Sequence, residues 1–461
     1  MKAQSVDNRY LPSFWASILV SILVIGALQS VLMGPAAAVI VLIGGAVVAS
    51  VWLVLRRTVM VLGIVLAIMP LHFLAVSLGQ FYGLPHMTAI SAATKEIPLL
   101  LISFILWRRN GLRLRAPDWF LLAFFAIGLI RSAFGGGVRG FIDDFGLLIP
   151  YAAGKVTVLT DAQERLWAKC AVWIAAVLSA VGMAEVFVLG DGPRRVLYAV
   201  VSPGEGLPTS YYANDFEGLR EASTTAGPLL FGAFCMAALI IWWVYFRNPL
   251  PAGIIFAGLI CTLTRSAWAG TAIAILLLAL RMGQKKRLAS YALLGIIVFV
   301  AAIPILGMGD YLFSTRTGQD TSEQVHSASL LTGLEYVGSH PMGSGAESVG
   351  PRILRQNAAA THIESSYLIL AAQYGLFAGL CFVGFLLTAI HRTWKNRTPL
   401  GYAAAAILMG FGTMMFFLPI HQDFRLNSWV WFPVGLAVSS AIGQGIPTVS
   451  GLPQRRGGET A

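Results

Sequence analysis

Apolar runs of about 20 residues recur along the whole chain, and they constrain its fold more than any other feature of the sequence. A helix of that length spans the hydrocarbon core of a bilayer. The runs fall at 12–33, 36–55, 59–79, 87–107, 118–134, 141–160, 166–189, 223–246, 250–263, 265–281, 288–308, 363–390, 400–420 and 428–446. Several are weak, and 141–160 contains charged residues. We therefore expect an all-α, polytopic integral membrane protein with 12–14 transmembrane helices.

The composition supports this class. Of the 461 residues, 57% are hydrophobic and only 11% are charged, whereas a soluble domain carries about 25% charged residues. Soluble globular and disordered proteins are therefore excluded. The four cysteines lie in or beside apolar stretches and are interpreted as small hydrophobic residues. No metal site is predicted. Five histidines lie outside the motif segments and form no cluster with metal-ligand spacing. They are His72, His86, His326, His391 and His421.

The net charge of +11 could indicate a nucleic-acid partner, but the distribution of the charges indicates a membrane topology. With a cytoplasmic N-terminus and alternating runs, 21 of the 32 basic residues fall inside, and only 5 of the 21 acidic ones do. Short cytoplasmic loops are enriched in Lys and Arg in just this way. Both termini are therefore predicted to be cytoplasmic, and no nucleic-acid partner is expected.

Two polar loops are much longer than the other connections, and both fall on the outer side. They cover residues 190–222 and 309–361 and contain glycine, proline and charged residues. Long ordered loops usually carry function. We expect residues 1–461 to form one membrane domain whose functional residues lie at these loops.

Three segments on the outer side combine arginine, glycine and hydroxyl residues. Arg220 closes the first loop, and Thr264-Arg265 stands between two apolar runs. The third segment ends the long loop. It contains Pro341-Met342-Gly343-Ser344-Gly345 and then Ser365-Ser366-Tyr367-Leu368 with Gly375-Leu376. In this order, over about 215–390, the chain resembles the superfamily of O-antigen ligases and Wzy-type polysaccharide polymerases.

This resemblance implies a GT-C-like glycosyltransferase architecture with a long helical periplasmic loop. It implies a multi-pass protein of the bacterial inner membrane with a periplasmic active site. The chemistry would be transfer of a glycan from undecaprenyl diphosphate to a sugar hydroxyl, without metal or cofactor. The expected partners are the lipid-linked donor, the glycan acceptor, membrane lipid and a chain-length regulator or export protein.

Arginine suits a lipid-diphosphate leaving group, because its planar, permanently charged fork binds phosphate oxygens. Arg265 is the first candidate for stabilising that charge and Arg220 the second, with Arg316 or Arg352 supplied by the long loop. Structural interpretations stay open. An arginine at the end of an apolar run often extends to the membrane interface, and Arg220 has acidic neighbours for an ion pair.

His362 and Glu364 are the candidates for the group that accepts or orients the acceptor proton. In the ligase form of the motif a histidine stands where Glu364 is found, and His362 lies two residues earlier. On a helix the two side chains would point about 200° apart, so only one would face the substrate. Ser365 and Tyr367 of the same motif are expected to bind substrate. Helix capping is the structural alternative for His362 and Glu364.

The leading functional hypothesis is a polymerase that joins undecaprenyl-diphosphate-linked oligosaccharide repeat units of an exopolysaccharide or O-antigen. The first alternative is a ligase that moves finished glycan onto lipid A-core. A transporter of lipid-linked sugar, a flippase, is the alternative from another class. It predicts repeated halves and ionisable residues near the middle of the membrane.

Overall fold

The computed structural model describes residues 58–82, 87–135, 137–201, 211–213, 216–225, 227–305, 321–354 and 361–440. The predicted spans 12–33 and 36–55 lie outside the described residues. Within the described ranges the regular secondary structure is helical, apart from one short antiparallel hairpin, Tyr212–Ala213 with Phe216–Leu219, and an isolated bridge between Val349 and Thr361. The predicted all-α class is confirmed.

In the described part of the first half, most helices begin and end close to the predicted runs. The exceptions are two short helices in place of the run 141–160 and one helix inside the predicted loop 190–222. In chain order the helices are α1 (Thr58–Phe81, with a 3-10 turn at Met69–Leu71), α2 (Met87–Asn110), α3 (Ala116–Gly135), α4 (Val138–Phe145), α5 (Leu148–Val156), α6 (Asp161–Ala184, continued by a π turn at Glu185–Leu189) and α7 (Gly192–Val201). The hairpin strands, β1 and β2, follow α7.

The described residues of the second half contain ten further α-helices. They are α8 (Pro228–Tyr245), α9 (Pro249–Cys261), α10 (Arg265–Arg281), α11 (Lys285–Ile305), α12 (Thr321–Ser339), α13 (Pro351–Leu354), α14 (Ser366–Tyr374), α15 (Leu376–Lys395), α16 (Pro399–Phe417) and α17 (Phe424–Ser439). In the predicted long loop, the described residues form α12, a non-helical stretch at 340–350 and the short α13.

Six helices of the described part are long and apolar enough to cross a membrane: α1, α3, α6 with its π turn, α8, α15 and α16. Their outer faces remain apolar, as Leu129, Val177 and Leu387 show by being exposed. Apolar side chains on the outside of a helix bundle are the pattern that lipid requires. The chain is a multi-pass membrane protein.

Contacts between helix termini define two opposite ends of the bundle. At the first, Arg109 of α2 donates to Thr58 Oγ1 at 3.1 Å, Arg287 donates to backbone carbonyls at the end of α8, and Arg392 donates to the backbone of α17 at 2.8 Å. We call this the basic end. The opposite end, which carries α7, the hairpin, α12 and the turn before α10, is called the loop end.

The predicted crossing at 141–160 is two short helices rather than one. α4 and α5 together run from the loop end to the basic end, and the charged residues of this run are paired inside the bundle. Asp144 is fully buried, and Lys155 forms an ion pair of 2.7 Å with Asp118 of α3. Pairing is what allows these charges inside the bundle, since an isolated buried charge is very costly.

Glycines bring two pairs of helices into backbone contact. A Cβ on Gly154 of α5 would lie 2.1 Å from Phe432 O, and one on Gly435 of α17 would lie 2.1 Å from Tyr151 O. Gly270 of α10 and Gly410 of α16 approach in the same way. Small residues at helix contacts permit the close packing that stabilises helix pairs in lipid.

The predicted span at 363–390 is wrong in its continuity. Residues 362–365 are not helical, α14 begins at Ser366, and the helix breaks at Gly375 before α15 begins. Gly375 has φ +100°, which L side chains rarely adopt, and a Cβ there would lie 2.9 Å from Met342 O. A non-local contact therefore causes the break.

Candidate active site at the loop end

Arg220 binds the turn that leads into Arg265. Its Nε donates to Thr262 O at 3.0 Å, and its Nη2 donates to Thr264 Oγ1 at 3.1 Å. Between these partners, Leu263 has φ +50°, a left-handed conformation that costs a residue with a side chain ~1–2 kcal/mol. The guanidinium thus holds a strained turn in place immediately before α10.

Arg265 is the first residue of α10 and is exposed at the loop end. A cation is disfavoured at a helix N-terminus, because the helix dipole is positive there. Helix stability therefore does not explain this arginine. The same dipole adds to the positive potential that Arg265 presents, and such a site attracts phosphate groups.

Glu364 lies between two histidines. Its Oε2 contacts Nδ1 of His326 on α12, and its Oε1 lies 3.3 Å from Nε2 of His362. The side chain of Glu364 is 20% exposed, against 39% for His326 and 38% for His362. The carboxylate is thus the inner member of the cluster and the imidazoles are the outer members.

His326 connects this cluster to Arg265 electrostatically. The Glu364 carboxylate raises the pKa of His326, while burial and the positive charge of Arg265 oppose that rise. Two of the predicted catalytic residues, His362 and Glu364, are therefore in contact, and the third, Arg265, acts on the same cluster. Their catalytic roles stay predictions.

His326 is not among the site residues predicted from the sequence, and the prediction that His362 and Glu364 point apart is wrong. On a helix the two side chains would point apart, but residues 362–365 are not helical, and both side chains reach one cluster. Two features of the sequence could have indicated His326 as a site residue: its position inside a long outer loop and the separately predicted acidic residue Glu364.

The Pro341–Gly345 turn packs on the break between α14 and α15. The backbone N–H groups of Ser344 and Gly345 donate to Ala372 O and Gln373 O, each at 2.9 Å, and Arg131 of α3 donates to Gly343 O. Gly343 has φ +78°, and a Cβ there would lie 2.4 Å from Gly375 N. Two glycine positions of the predicted motifs are therefore in backbone contact.

Residues 250–383 match the profile of the Wzy_C family, which is described as O-antigen ligase. This segment is similar to that family, and we call it the O-antigen ligase segment. It contains α10, α12, the Pro341–Gly345 turn and the cluster around Glu364, whereas Arg220 precedes it. The resemblance found in the sequence is confirmed. No curated protein sequence matches the chain.

A buried polar network fixes the start of α14 within the O-antigen ligase segment. Asp144 of α4 accepts a 2.7 Å hydrogen bond from Tyr374 and lies 3.3 Å from Nε2 of His421. Nδ1 of His421 is 2.8 Å from Ser366 Oγ, which donates to Leu418 O at 2.6 Å. The order Ser, His, Asp resembles a nucleophile triad. Because Ser366 is fully buried and its proton is held by Leu418 O, we interpret the network as structural.

The remaining predicted substrate-binding residues of the O-antigen ligase segment differ in their surroundings. Ser365 is buried and directly precedes α14. Tyr367 is directed into the bundle, where its hydroxyl donates to Gly412 O at 3.0 Å. Arg316 lies outside the described residues, and for Arg352 the structure describes only the backbone, in α13. Substrate binding by these residues stays a prediction.

Ahead of the O-antigen ligase segment, Arg194 anchors the first outer loop. It is 2% exposed, forms two hydrogen bonds with the Glu185 carboxylate at 2.8 and 2.9 Å, and donates to the carbonyl oxygens of Ser223 and Thr225. Each partner of this buried arginine accepts a charge-assisted hydrogen bond. The segment that carries Arg220 is thereby tied to the end of α6.

Glu221 is directed away from Arg220. Its carboxylate is fully buried beside Gly182 of α6 and Gly258 of α9, and its oxygens have no hydrogen-bond partner among the described residues. Burial, and secondarily the charge of Glu185, raise the pKa of Glu221 well above its usual range. Glu221 therefore does not form the predicted ion pair with Arg220. For Glu217 the structure describes only the backbone.

In the part of the chain that the structure describes, no group of three or more His, Cys, Asp or Glu side chains could hold a metal ion. The sequence-based expectation of metal-independent chemistry stays a prediction.

Proposed function

We propose that this protein is a membrane glycosyltransferase that polymerises undecaprenyl-diphosphate-linked oligosaccharide repeat units at the periplasmic face of the bacterial inner membrane. One observation carries the proposal: a carboxylate–imidazole pair, Glu364 with His362, lies at the loop end of a membrane bundle, where the charge of the motif arginine, Arg265, acts on the neighbouring His326. Glycosyl transfer from a diphosphate needs a positive charge for the leaving group of the donor and a proton acceptor for the hydroxyl of the acceptor.

On the donor side, the bond between the anomeric carbon and the diphosphate oxygen breaks, and the electron pair stays on the diphosphate. Arg265 and the N-terminus of α10 present positive charge for that developing negative charge. The polyprenyl tail would remain in lipid, because Arg265 lies where an apolar span begins. Arg220 supports this arrangement from behind, through the turn at Thr262.

On the acceptor side, a sugar hydroxyl forms the new bond to the anomeric carbon and loses its proton. His362 is the proposed proton acceptor. Its Nε2 faces the Glu364 carboxylate, which leaves Nδ1 for the substrate hydroxyl. A carboxylate behind an imidazole fixes its tautomer and stabilises the imidazolium that forms. In this proposal both residues take part: His362 accepts the proton, and Glu364 orients His362.

The charge asymmetry supports the assignment of sides. Arg109, Arg287 and Arg392 bind backbone or hydroxyl groups at the basic end, opposite the Glu364 cluster. A cytoplasmic basic end follows the positive-inside rule and makes the loop end periplasmic. In this orientation fourteen crossings, one for each predicted run, would leave both termini in the cytoplasm.

A ligase that transfers finished glycan onto lipid A-core is the second candidate, and the description of the matched family as O-antigen ligase favours it. Both candidates use the same donor and the same leaving group. The observation that favours the polymerase is Glu364, which occupies the position of the histidine in the ligase motif.

The test combines a deletion strain with point variants. Accumulation of single lipid-linked repeat units in the deletion strain supports the polymerase, whereas accumulation of long lipid-linked polymer supports the ligase. Arg265→Ala should reproduce the deletion phenotype at normal protein level. Arg281→Ala, at the opposite end of the same helix, is the matched control and should retain activity. Normal glycan in the Arg265→Ala strain would refute the proposal.

A further inference from the structure

α12 holds Glu364 at two points. The ring of His326 contacts the carboxylate, and Ser329 Oγ accepts a 2.9 Å hydrogen bond from the backbone N–H of Glu364. His326 and Ser329 are three residues apart and therefore lie on one face of the helix. The helix of the long loop thus fixes both the side chain and the backbone of one residue.

Apolar packing keeps α12 against the segment that carries Glu364. Val337 of α12 belongs to a small buried cluster with Ile363 and Ile369. Gly333 of α12 allows the approach, since a Cβ there would lie 2.8 Å from a methyl group of Leu368. Ile363 is fully buried in this cluster, which places its neighbours His362 and Glu364 beside α12.

The charges around His326 favour its protonated form. Glu364 faces it from the non-helical segment before α14 and raises its pKa. His362 lies on the far side of that carboxylate, and Arg265 at the start of α10 opposes protonation, as does burial. An imidazolium at this position neutralises the carboxylate from one side and leaves its other oxygen, Oε1, directed at His362.

We propose that His326 is a positioning residue, which holds the Glu364 carboxylate so that this carboxylate orients His362 for the transfer reaction. The inference rests on the proposed function, because it assigns a task within the same site. It also gives the long loop a mechanistic role. The acceptor side is complete only when α12 is docked, so the loop contributes to the site a side chain far from His362 in the sequence.

The test compares three substitutions at one position in purified full-length protein, with lipid-linked repeat units as substrate. His326→Ala and His326→Gln remove the cation, and His326→Lys retains a cation without the imidazole. We expect His326→Ala and His326→Gln to lose at least tenfold in turnover at unchanged apparent affinity for the donor. His391→Ala, an exposed histidine of α15 at the basic end, is the control.

The pH profile separates positioning by charge from a purely structural role. The His326 imidazolium is lost as the pH rises through its raised pKa, so turnover of the wild type should fall on the alkaline side. In His326→Lys that fall should move to higher pH. Profiles of identical shape in the wild type and His326→Lys would overturn the inference.

The outcomes for this inference and for the proposed function are distinguishable. Loss of transfer in Arg265→Ala with wild-type turnover in His326→Gln overturns the role of His326 and leaves the proposed function standing. Wild-type transfer in Arg265→Ala overturns both. If His326→Ala does not accumulate, the decision rests on His326→Gln and His326→Lys, which keep a polar side chain beside Glu364.

Discussion

The Nε of Arg220 donates a 3.0 Å hydrogen bond to the carbonyl oxygen of Thr262, three residues before Arg265. Arg220 and Arg265, the two arginines of the sequence motifs, are therefore connected through the backbone that leads from Thr262 to α10. Arg265 is exposed at the head of α10, and Arg220 holds the turn that orients it. Arg220 thus supports the site even without touching substrate.

Replacing Arg220 by lysine should reduce transfer although the charge is retained. An ammonium group cannot donate along the fixed directions of a guanidinium to Thr262 O and Thr264 Oγ1 together. Hydrogen bonds to charged groups contribute ~1.5–3 kcal/mol, so we expect roughly a 10- to 100-fold loss in transfer rate per molecule. Arg195→Lys, in an exposed i,i+4 ion pair of the same loop, should have little effect. Equal activity of both variants would contradict the positioning role of Arg220.

Adding a methyl group at Gly343 should destabilise the protein. The left-handed backbone costs ~1–2 kcal/mol, and the new Cβ would lie 2.4 Å from Gly375 N, which is backbone and cannot move aside cheaply. We expect Gly343→Ala to lower the unfolding temperature in detergent. Gly338→Ala is the matched control, because nothing lies within 4 Å of its Cβ, and it should be neutral or stabilising by about 0.5–1 kcal/mol.

The buried ion pair of Lys155 with Asp118 should show strong coupling in a double-mutant cycle. The pair is 2.7 Å long, and Asp118 also accepts a 2.7 Å hydrogen bond from Tyr151. Breaking a buried pair costs about 3–5 kcal/mol, because one charge is left uncompensated. Lys155→Met alone should therefore destabilise strongly, and adding Asp118→Asn should recover most of the loss. Lys169→Met, on the exposed face of α6, controls for the loss of a basic residue.

The stability of the wild type relative to Glu221→Gln should fall as the pH rises. Burial raises the pKa of Glu221 in the folded state above the unfolded value of 4.5. Between these two values the folded state binds more protons, so raising the pH favours unfolding. Unfolding temperatures at pH 5 and pH 8 measure this, and the advantage of the glutamine variant should grow with pH. Glu335→Gln, at an exposed position of α12, should show no such trend.

The membrane class and most helices could be predicted because they depend on local composition. An apolar run such as 400–420 has only one stable form in lipid, a helix that satisfies its own backbone, and α16 occupies Pro399–Phe417. The motif arginines were likewise identifiable, because a charged residue at the boundary of an apolar run is unusual. The sequence also indicated the loop end as the location of the site.

The break at Gly375 could not be predicted, because its cause lies elsewhere in the chain. Residues 363–390 read as one continuous apolar run. Only the docking of the Pro341–Gly345 turn, in which Leu376 donates to Pro341 O at 2.9 Å, requires the left-handed glycine that separates α14 from α15. Periodicity carries no information about a backbone contact of this kind.

The sequence by itself determined a multi-pass helical protein that carries a family motif set, because hydropathy and charge bias act through nearby residues. Tertiary structure alone decided how these residues combine. It placed Glu364 between His326 and His362, and it turned Arg220 toward the backbone at Thr262. The physical reason is that a carboxylate or a guanidinium chooses its partner by distance in space, and that distance is set by how the helices pack.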